Sequence, residues 1–324
     1  MVSVIIATYN GEKYIEAQLR SVLSQSLSPE EVFIFDDGST DSTVEVVSRF
    51  IEENGCDGWK LYLNEENKGY CRNFLEGALQ ASGDYIFLCD QDDVWCPDKI
   101  KETANALQND ESLFAVCCAA EAIDGDGNVI ETPQNIGVFF DEEDGSISPF
   151  SPAQFVGRSF IRGCSVGFKR EVLGFVTPLE LKGLLSHDWL ITFTAALLGK
   201  CAVLNRRLLK YRCHGENTSF GERSFGTKAL NKRIEAIECS VEGHSFVLEN
   251  CDVYPNMTED LKRKLKSHIL FEQKRIAFLK NGGVINLLNC FFALPCYKCY
   301  YGTFKGAVRV FLGDVSYRNK RKKG

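Results

Sequence analysis

Four short apolar runs, Val2–Ala7, Val32–Phe35, Trp59–Leu63 and Tyr85–Cys89, alternate with stretches of helical periodicity, and this alternation restricts the fold more than any other feature. Between them, Glu12–Gln25 sets Tyr14, Ile15, Leu19, Val22 and Leu23 at helical spacing, while Thr43–Glu53 and Phe74–Ala81 read as two further helices. Apolar, β-branched runs without in-and-out alternation mark strands buried on both faces. Strands and helices alternating at this pace predict an α/β protein with a parallel sheet and right-handed crossovers. Open sheets of this kind bind ligands beyond the carboxyl ends of their strands. Thr8-Tyr9-Asn10, Asp36-Asp37 and Asp90–Asp93 all fall at such ends, so three strand ends direct polar groups at one rim.

The rest of the chain is less regular. Ser112–Ala120 resembles a strand, Gly125–Asn128 a turn, and Phe139–Pro152 an acidic Ser/Pro-containing loop. Gly163–Phe168 is expected to be a strand leading to a short helix, His187–Leu198 a helix, and Ala202–Leu209 a strand feeding Tyr211-Arg212-Cys213-His214. From Lys228 the pattern turns helical, with Leu261, Leu265, Ile269, Ile276 and Leu279 tracing one apolar face. Val284–Leu294 is apolar but about half the ~20 residues a spanning helix needs. Two readings stay open for it: a cap on the core, or a segment lying in a membrane interface.

A chain of 324 residues can bury a large core as one domain or two. Its net charge of −7 hides an asymmetry, because residues 261–324 carry 15 Lys/Arg against 2 Asp/Glu. An acidic body with a basic end, closing on Lys320–Lys323, is read as either a solvated tail or a docking surface for phosphates or anionic lipid. The 14 cysteines form no disulfide framework, and several sit in apolar runs as small hydrophobes. No basic-then-apolar leader precedes Val2–Ala7, which is already structural. Both features predict a reducing, cytoplasmic setting. Cys296 and Cys299 form a lone CxxC without a second ligand pair, too little for a zinc or redox site.

Carboxylates at a strand end need a cation or a hydrogen-bond network to satisfy them. Asp90, Asp92 and Asp93 fit a divalent ion that also holds phosphate oxygens, although a solvated acidic turn is the plainer reading. Taken with Val4–Asn10, Asp36–Asp41, Asn67-Lys68-Gly69 with Asn73, His187-Asp188-Trp189 and Tyr211–His214, in this order over roughly residues 2–220, the chain resembles family 2 glycosyltransferases of the GT-A fold. The Asp90–Trp95 and His187–Trp189 versions are most like bacterial rhamnosyltransferase-type members of surface polysaccharide assembly. The resemblance implies a GT-A catalytic domain over residues 1–220, Rossmann-like with a mostly parallel sheet and flanking helices. Residues 221–324 then form a helical, basic extension.

The resemblance also implies a site. Asp188 is the expected general base, with capping of its own helix as the alternative role. Thr8, Tyr9, Asn10, Glu12, Asp36, Asp37, Arg72, Asp90 and Asp93 are expected to bind the nucleotide-sugar; Glu12 and Asp93 could equally cap local structure, and Asp41 is read as a helix cap. Asp36 and Asp37 would recognise base and ribose, with uracil or thymine favoured because each offers an N3–H donor. Asp92, Asp90 and His214 are the expected ligands of Mg²⁺ or Mn²⁺, with Arg72 and Arg212 as further phosphate contacts. Gly163, Cys164, His187 and Trp189 would line the acceptor site, the indole stacking on a sugar.

The expected reaction is inverting transfer from a UDP- or dTDP-sugar to a glycan or polyprenyl-linked glycan. The expected place is the cytoplasm or the inner face of the plasma membrane, with peripheral membrane contact through the basic end and no nucleic-acid partner. The turn after the first strand has no GxGxxG and the chain no GxxxxGK[ST], against dinucleotide and P-loop enzymes. A sugar nucleotidyltransferase would need a Gly-rich basic loop near the amino terminus, where Asn10–Gln18 offers only Lys13. A catalytically silent carbohydrate-binding protein on the same scaffold would be expected to lack Asp188 or the Asp90–Asp92 pair. The strand-end constellation speaks against a retaining glycosidase.

Overall fold

The computed structural model describes residues 1–132, 143–176, 187–214, 227–293, 308 and 310–316. The expected domain boundary at 220/221, residues 139–142 of the acidic loop, the Cys296/Cys299 pair and the Lys320–Lys323 tail lie outside them. The described chain divides into two compact units, one of residues 1–132, 143–150, 159–176 and 187–214, the other of residues 151–158, 227–293, 308 and 310–316.

The first unit opens with the expected alternation: β1 (Val2–Thr8), α1 (Ile15–Leu23), β2 (Glu31–Asp36), α2 (Thr43–Glu53), β3 (Trp59–Leu63), α3 (Tyr70–Gln80) and β4 (Tyr85–Asp90). There follow β5 (Val94–Trp95), α4 (Lys99–Asn109), β6 (Leu113–Ile123), β7 (Ile147–Pro149), β8 (Val166–Lys169), α5 (His187–Leu198) and β9 (Lys200–Arg212). All nine strands join one sheet in the order β3-β2-β1-β4-β8-β6-β9-β5, with β7 on β9. β1, β2, β3, β4, β6 and β9 share one direction, and β8 runs against its neighbours β4 and β6.

Burial explains the sequence pattern. Val4, Ile5 and Ile6 of β1 are all fully buried, so side chains on both faces of the strand meet packed protein. The chain steps outward from β1 to β2 and β3, then returns past β1 to form β4. That reversal opens a crevice at the carboxyl ends of β1 and β4. Register aligns them there, with Ala7 opposite Asp90 and Thr8 opposite Asp36.

Helix α4 escapes a periodicity reading because its buried face is built from Lys99, Ile100, Thr103, Ala104, Ala106 and Leu107, of which only two are large hydrophobes. Lys99 is fully buried with its ammonium over the Trp95 ring, 4.6 Å from the centroid, and 3.8 Å from Cys118 Sγ.

The second unit contains α6 (Thr227–Glu249), α7 (Glu259–Asn281) and α8 (Val284–Phe292). Thr258 caps α7, accepting the Leu261 N–H at 3.2 Å. The buried stripe of α7 differs from the expected one: Ile269 and Ile276 are half-buried, while His268, Glu272 and Arg275 are inside. Arg275 can be buried because it donates to both oxygens of Asp314, at 2.7 and 3.1 Å, and to Glu272 at 2.7 Å. No described helix is long and apolar enough to cross a membrane.

Candidate active site

The rim at the ends of β1, β2 and β4 is a set of loops stitched by side chains. Asn10, in the left-handed region at φ 48°, accepts the Thr40 N–H at 2.8 Å, and its own N–H donates to Ser39 Oγ. Glu12 accepts from the Ser42 N–H at 2.9 Å, so of its two expected roles the structure displays a cap, on α2 rather than on its own helix. Asp41 accepts the Glu12 and Thr43 N–H groups and supports the same helix start.

Gln91, which sequence reading passed over, closes the crevice between β1 and β4. It accepts the Tyr9 N–H at 2.8 Å and donates to the Tyr9 carbonyl at 3.0 Å. Gly11 makes this clasp available, since a Cβ there would stand 2.2 Å from Gln91 Oε1. Tyr9 itself is exposed at the rim.

Asp36 and Asp37, expected at base and ribose, are engaged here by the chain itself. Both are buried, and their oxygens are occupied by the chain. Asp36 accepts four hydrogen bonds, from the Thr8 and Ser39 hydroxyls and the Gly38 and Ser39 N–H groups. Asp37 accepts from Asn64 Nδ2 and from the Lys68 and Gly69 N–H groups, at 2.8–2.9 Å. They fix the turn after β2 and the loop into α3. Thr8 is buried beneath them, its carbonyl taken by the Asp37 N–H.

The carboxylate cluster separates into a back wall and a front. Asp93 is fully buried, accepts the Arg212 N–H at 2.9 Å, and forms with Asp90 and the Cys164 thiol a group whose ligand atoms lie within 4.8 Å of one another. Burial, followed by the charges of Asp92 and Asp90, pushes Asp93 well above the carboxylate range. Asp90 is raised to about 7 by burial and then by the Asp92 charge. In front, Asp92 Oδ2 and His214 Nε2 stand 2.8 Å apart, both partly exposed, with the imidazole tilted over Tyr14 at 4.9 Å between centroids.

Two ligands at right angles on an octahedral ion with ~2.1 Å bonds lie about 3 Å apart, so the front pair fits a hard divalent ion. The back wall suits one less well, since Asp93 and Cys164 are buried and one ligand is a thiol. Arg212, expected as a phosphate contact, is buried, and its guanidinium donates to the carbonyls of Asp92, Asp124 and Gly125. Arg72 is exposed on the first turn of α3 and pairs with Glu76 at 2.5 Å.

Asp188 lies in the first turn of α5. Its Oδ1 accepts the Trp189 N–H at 2.6 Å, with Ser159 Oγ at 3.5 Å. Burial raises the carboxyl to about 6, while the Trp189 N–H and the Arg162 charge hold it down. Tyr70, also missed in the sequence, opens α3. Although the residue is 42% exposed, desolvation pushes its phenol up to about 12, with the charges of Cys71, Asp188 and Asp90 adding to the shift, and it meets His187 edge-on at 5.8 Å. Arg162 acts electrostatically on Asp90, Asp188 and Tyr70 alike.

The expected acceptor residues need correction. His187 is buried, stacks on Phe74 at 4.5 Å, and is held neutral, its pKa lowered to about 3 by burial. Trp189 is 5% exposed and tilts against Phe193, leaving no open face for a sugar. Cys164 belongs to the back wall. Gly163 does allow a close approach, but to His187: a Cβ would stand 2.7 Å from Nε2. A cleft of about 680 Å³ lined by Leu79, Asp84, Tyr85 and Lys169 opens at the other end of β4, away from these groups.

Comparison with known proteins places this rim in context. The sequence profile described as "Glycosyl transferase family 2" matches residues 3–174. An uncharacterized glycosyltransferase of Nostoc sp. is 30% identical over 238 residues, 73% of this chain and 72% of the relative. A dTDP-rhamnosyl transferase of Shigella flexneri is 28% identical, covering 71% and 78%. Among solved structures, S. aureus TarS 1–349 in complex with UDP-GlcNAc superposes with a TM-score of 0.64 at 17% identity, over 99% of this chain and 90% of the other. The mannosyltransferase PcManGT of Pyrobaculum calidifontis, in complex with GDP-Man and Mn²⁺, gives 0.51 at 17% identity, over 99% and 83%. With two strands' loops clasped over a carboxylate rim and a profile match across more than half its length, this chain belongs to glycosyl transferase family 2 and is a glycosyltransferase of the GT-A fold.

Proposed function

We propose that this enzyme is inverting and divalent-metal-dependent, and that it transfers a sugar, rhamnose favoured, from a dTDP- or UDP-activated donor. The acceptor in this reading is a glycan or polyprenyl-linked glycan of a cell-surface polysaccharide, met at the inner face of the plasma membrane. The observation that carries it is geometric: Asp188 Cβ lies 3.6 Å from where a Cβ on Gly163 would stand, and the next residue, Cys164, groups with Asp90 and Asp93 within 4.8 Å, so donor-side carboxylates and a candidate base share one neighbourhood.

In the reaction, an acceptor hydroxyl attacks the anomeric carbon while the bond to the diphosphate breaks, and Asp188 takes the hydroxyl proton. A pKa near 6 leaves that carboxylate ionised at neutral pH yet basic enough to accept a proton. Asp92 and His214 would hold Mg²⁺ or Mn²⁺, with Asp90 beside them, and a bound ion supplies charge to stabilise the leaving diphosphate. Asp36, Asp37 and Gln91 fix the loops that carry Tyr9 and Asn10. The Mn²⁺ in the PcManGT complex and the dTDP-rhamnose activity named for the Shigella relative support the metal and the sugar.

The test is a thermal-shift series with dTDP-rhamnose, UDP-sugars and GDP-mannose, each with Mn²⁺ and with EDTA. A metal-dependent rise with dTDP-rhamnose is expected, because a ligand bound only by the folded state raises the melting temperature. A rise with a UDP-sugar alone would discard rhamnose. No metal-dependent rise with any donor, in folded protein, would overturn the metal-dependent reading.

A further inference from the structure

Helix α8 leaves most of its apolar side chains uncovered. Val284, Ile285, Leu288, Phe291 and Phe292 are 71, 76, 46, 50 and 75% exposed, while Cys290 faces inward among residues of α6 and α7. At about 100° per residue the five exposed positions fall within an arc of about 120°, a single stripe along the helix. Nine residues extend only ~14 Å, about half a bilayer core, so α8 can lie in an interface but cannot span it.

Charge decides what covers the stripe. Residues 282–324 carry eight Lys/Arg and one acid, Asp314. That acid contributes nothing to the surface: it is 1% exposed and its carboxylate is held by Arg275 and Arg233. The stripe therefore belongs to a stretch whose other charges are all positive. A second copy meeting it through the same stretch would bring like charge against like, and the aliphatic members offer nothing to a nucleic-acid backbone. A surface that takes apolar side chains and attracts cations at once is an anionic bilayer.

We propose that α8 is an interfacial membrane anchor, its Ile285–Phe292 stripe inserted among the lipids of an anionic leaflet to which the net positive charge of the sequence after it is attracted. The inference goes beyond the transfer reaction and does not depend on which donor is used.

Flotation of the full chain with liposomes tests it, comparing phosphatidylcholine alone with an equal mixture of phosphatidylcholine and phosphatidylglycerol. Binding is expected only to the mixture and should weaken in high salt. Ile285→Ser/Phe292→Ser, which removes apolar surface without adding charge, should weaken partitioning about tenfold or more. Both positions are three-quarters exposed, so the variant should melt with the parent and keep its donor-induced thermal shift. This separates loss of the anchor from loss of the sugar-transfer site. Undiminished binding of the variant, no binding to either liposome, or a lipid-free dimer that the variant dissociates would each overturn the proposal.

Discussion

At the level of single residues, neighbours with opposite demands define the site. His187 and Asp188 are adjacent, yet burial holds the imidazole neutral, its pKa lowered to about 3, and lifts the carboxyl to about 6. One packs and the other is placed to move a proton. Asp188→Asn keeps an oxygen to accept the Trp189 N–H, so the first turn of α5 should survive while transfer falls by about a hundredfold to ten-thousandfold. The pH profile gives an independent reading. Because the base must be ionised, kcat/KM should fall as pH drops through about 6, the free enzyme's value for Asp188. Turnover by Asp188→Asn close to the parent's, or a flat profile from about pH 5 to 7, would remove Asp188 from that role.

At the level of elements, legibility followed the kind of signal each carries. Strands β1, β2 and β4 could be read because burial on both faces demands continuous apolar runs, and their polar ends stood out against them, whereas β3, at the edge of the sheet, is an apolar run with none of its residues buried. Helix α4 could not, since Lys99 and Thr103 occupy core positions that a hydrophobic count ignores. The carboxylate rim was legible as composition, but which oxygens face outward was not. Asp36 and Asp37 carry the same chemistry as Asp92, and only the loops folding over them show that their carboxylates also brace the rim. Trp189 and His187 read as a sugar platform because aromatic residues beside a candidate base suggest stacking; the core claimed them instead. Gly163 now has a definite job. Its missing Cβ admits His187, whose ring is already fixed on Phe74, so the start of α5 can seat itself against the Arg162–Cys164 turn. Gly163→Ala should destabilise the protein by about 1–3 kcal/mol in urea unfolding and lower kcat by shifting Asp188. Unchanged stability and turnover would show that the ring moves aside without consequence.

At the level of the whole molecule, the two units should answer acid differently. Three of the four histidines, His187, His244 and His268, are buried with pKa values lowered to about 3, 4 and 2, burial being the first cause in each. A histidine depressed in the folded state binds fewer protons there than when unfolded, so its contribution to stability is present above the unfolded value near 6.5 and is lost as pH falls below it. In the first unit Asp188 opposes His187: raised to about 6, it favours the folded state as pH falls from about 6 towards its unfolded value of 3.8. The second unit holds two such histidines in contact, 4.3 Å apart, with His244 accepting the Gly157 N–H at Nε2 and therefore protonated on Nδ1. Glu272, raised by burial, works against them, but the neighbouring Arg275 charge restrains its shift. Hydrogen exchange corrected for intrinsic rates should therefore show α6 and α7 losing protection between about pH 7 and pH 5, while β1 and β4 hold theirs. Equal loss across both units would mean that the histidine pair does not set the acid limit of the helical unit.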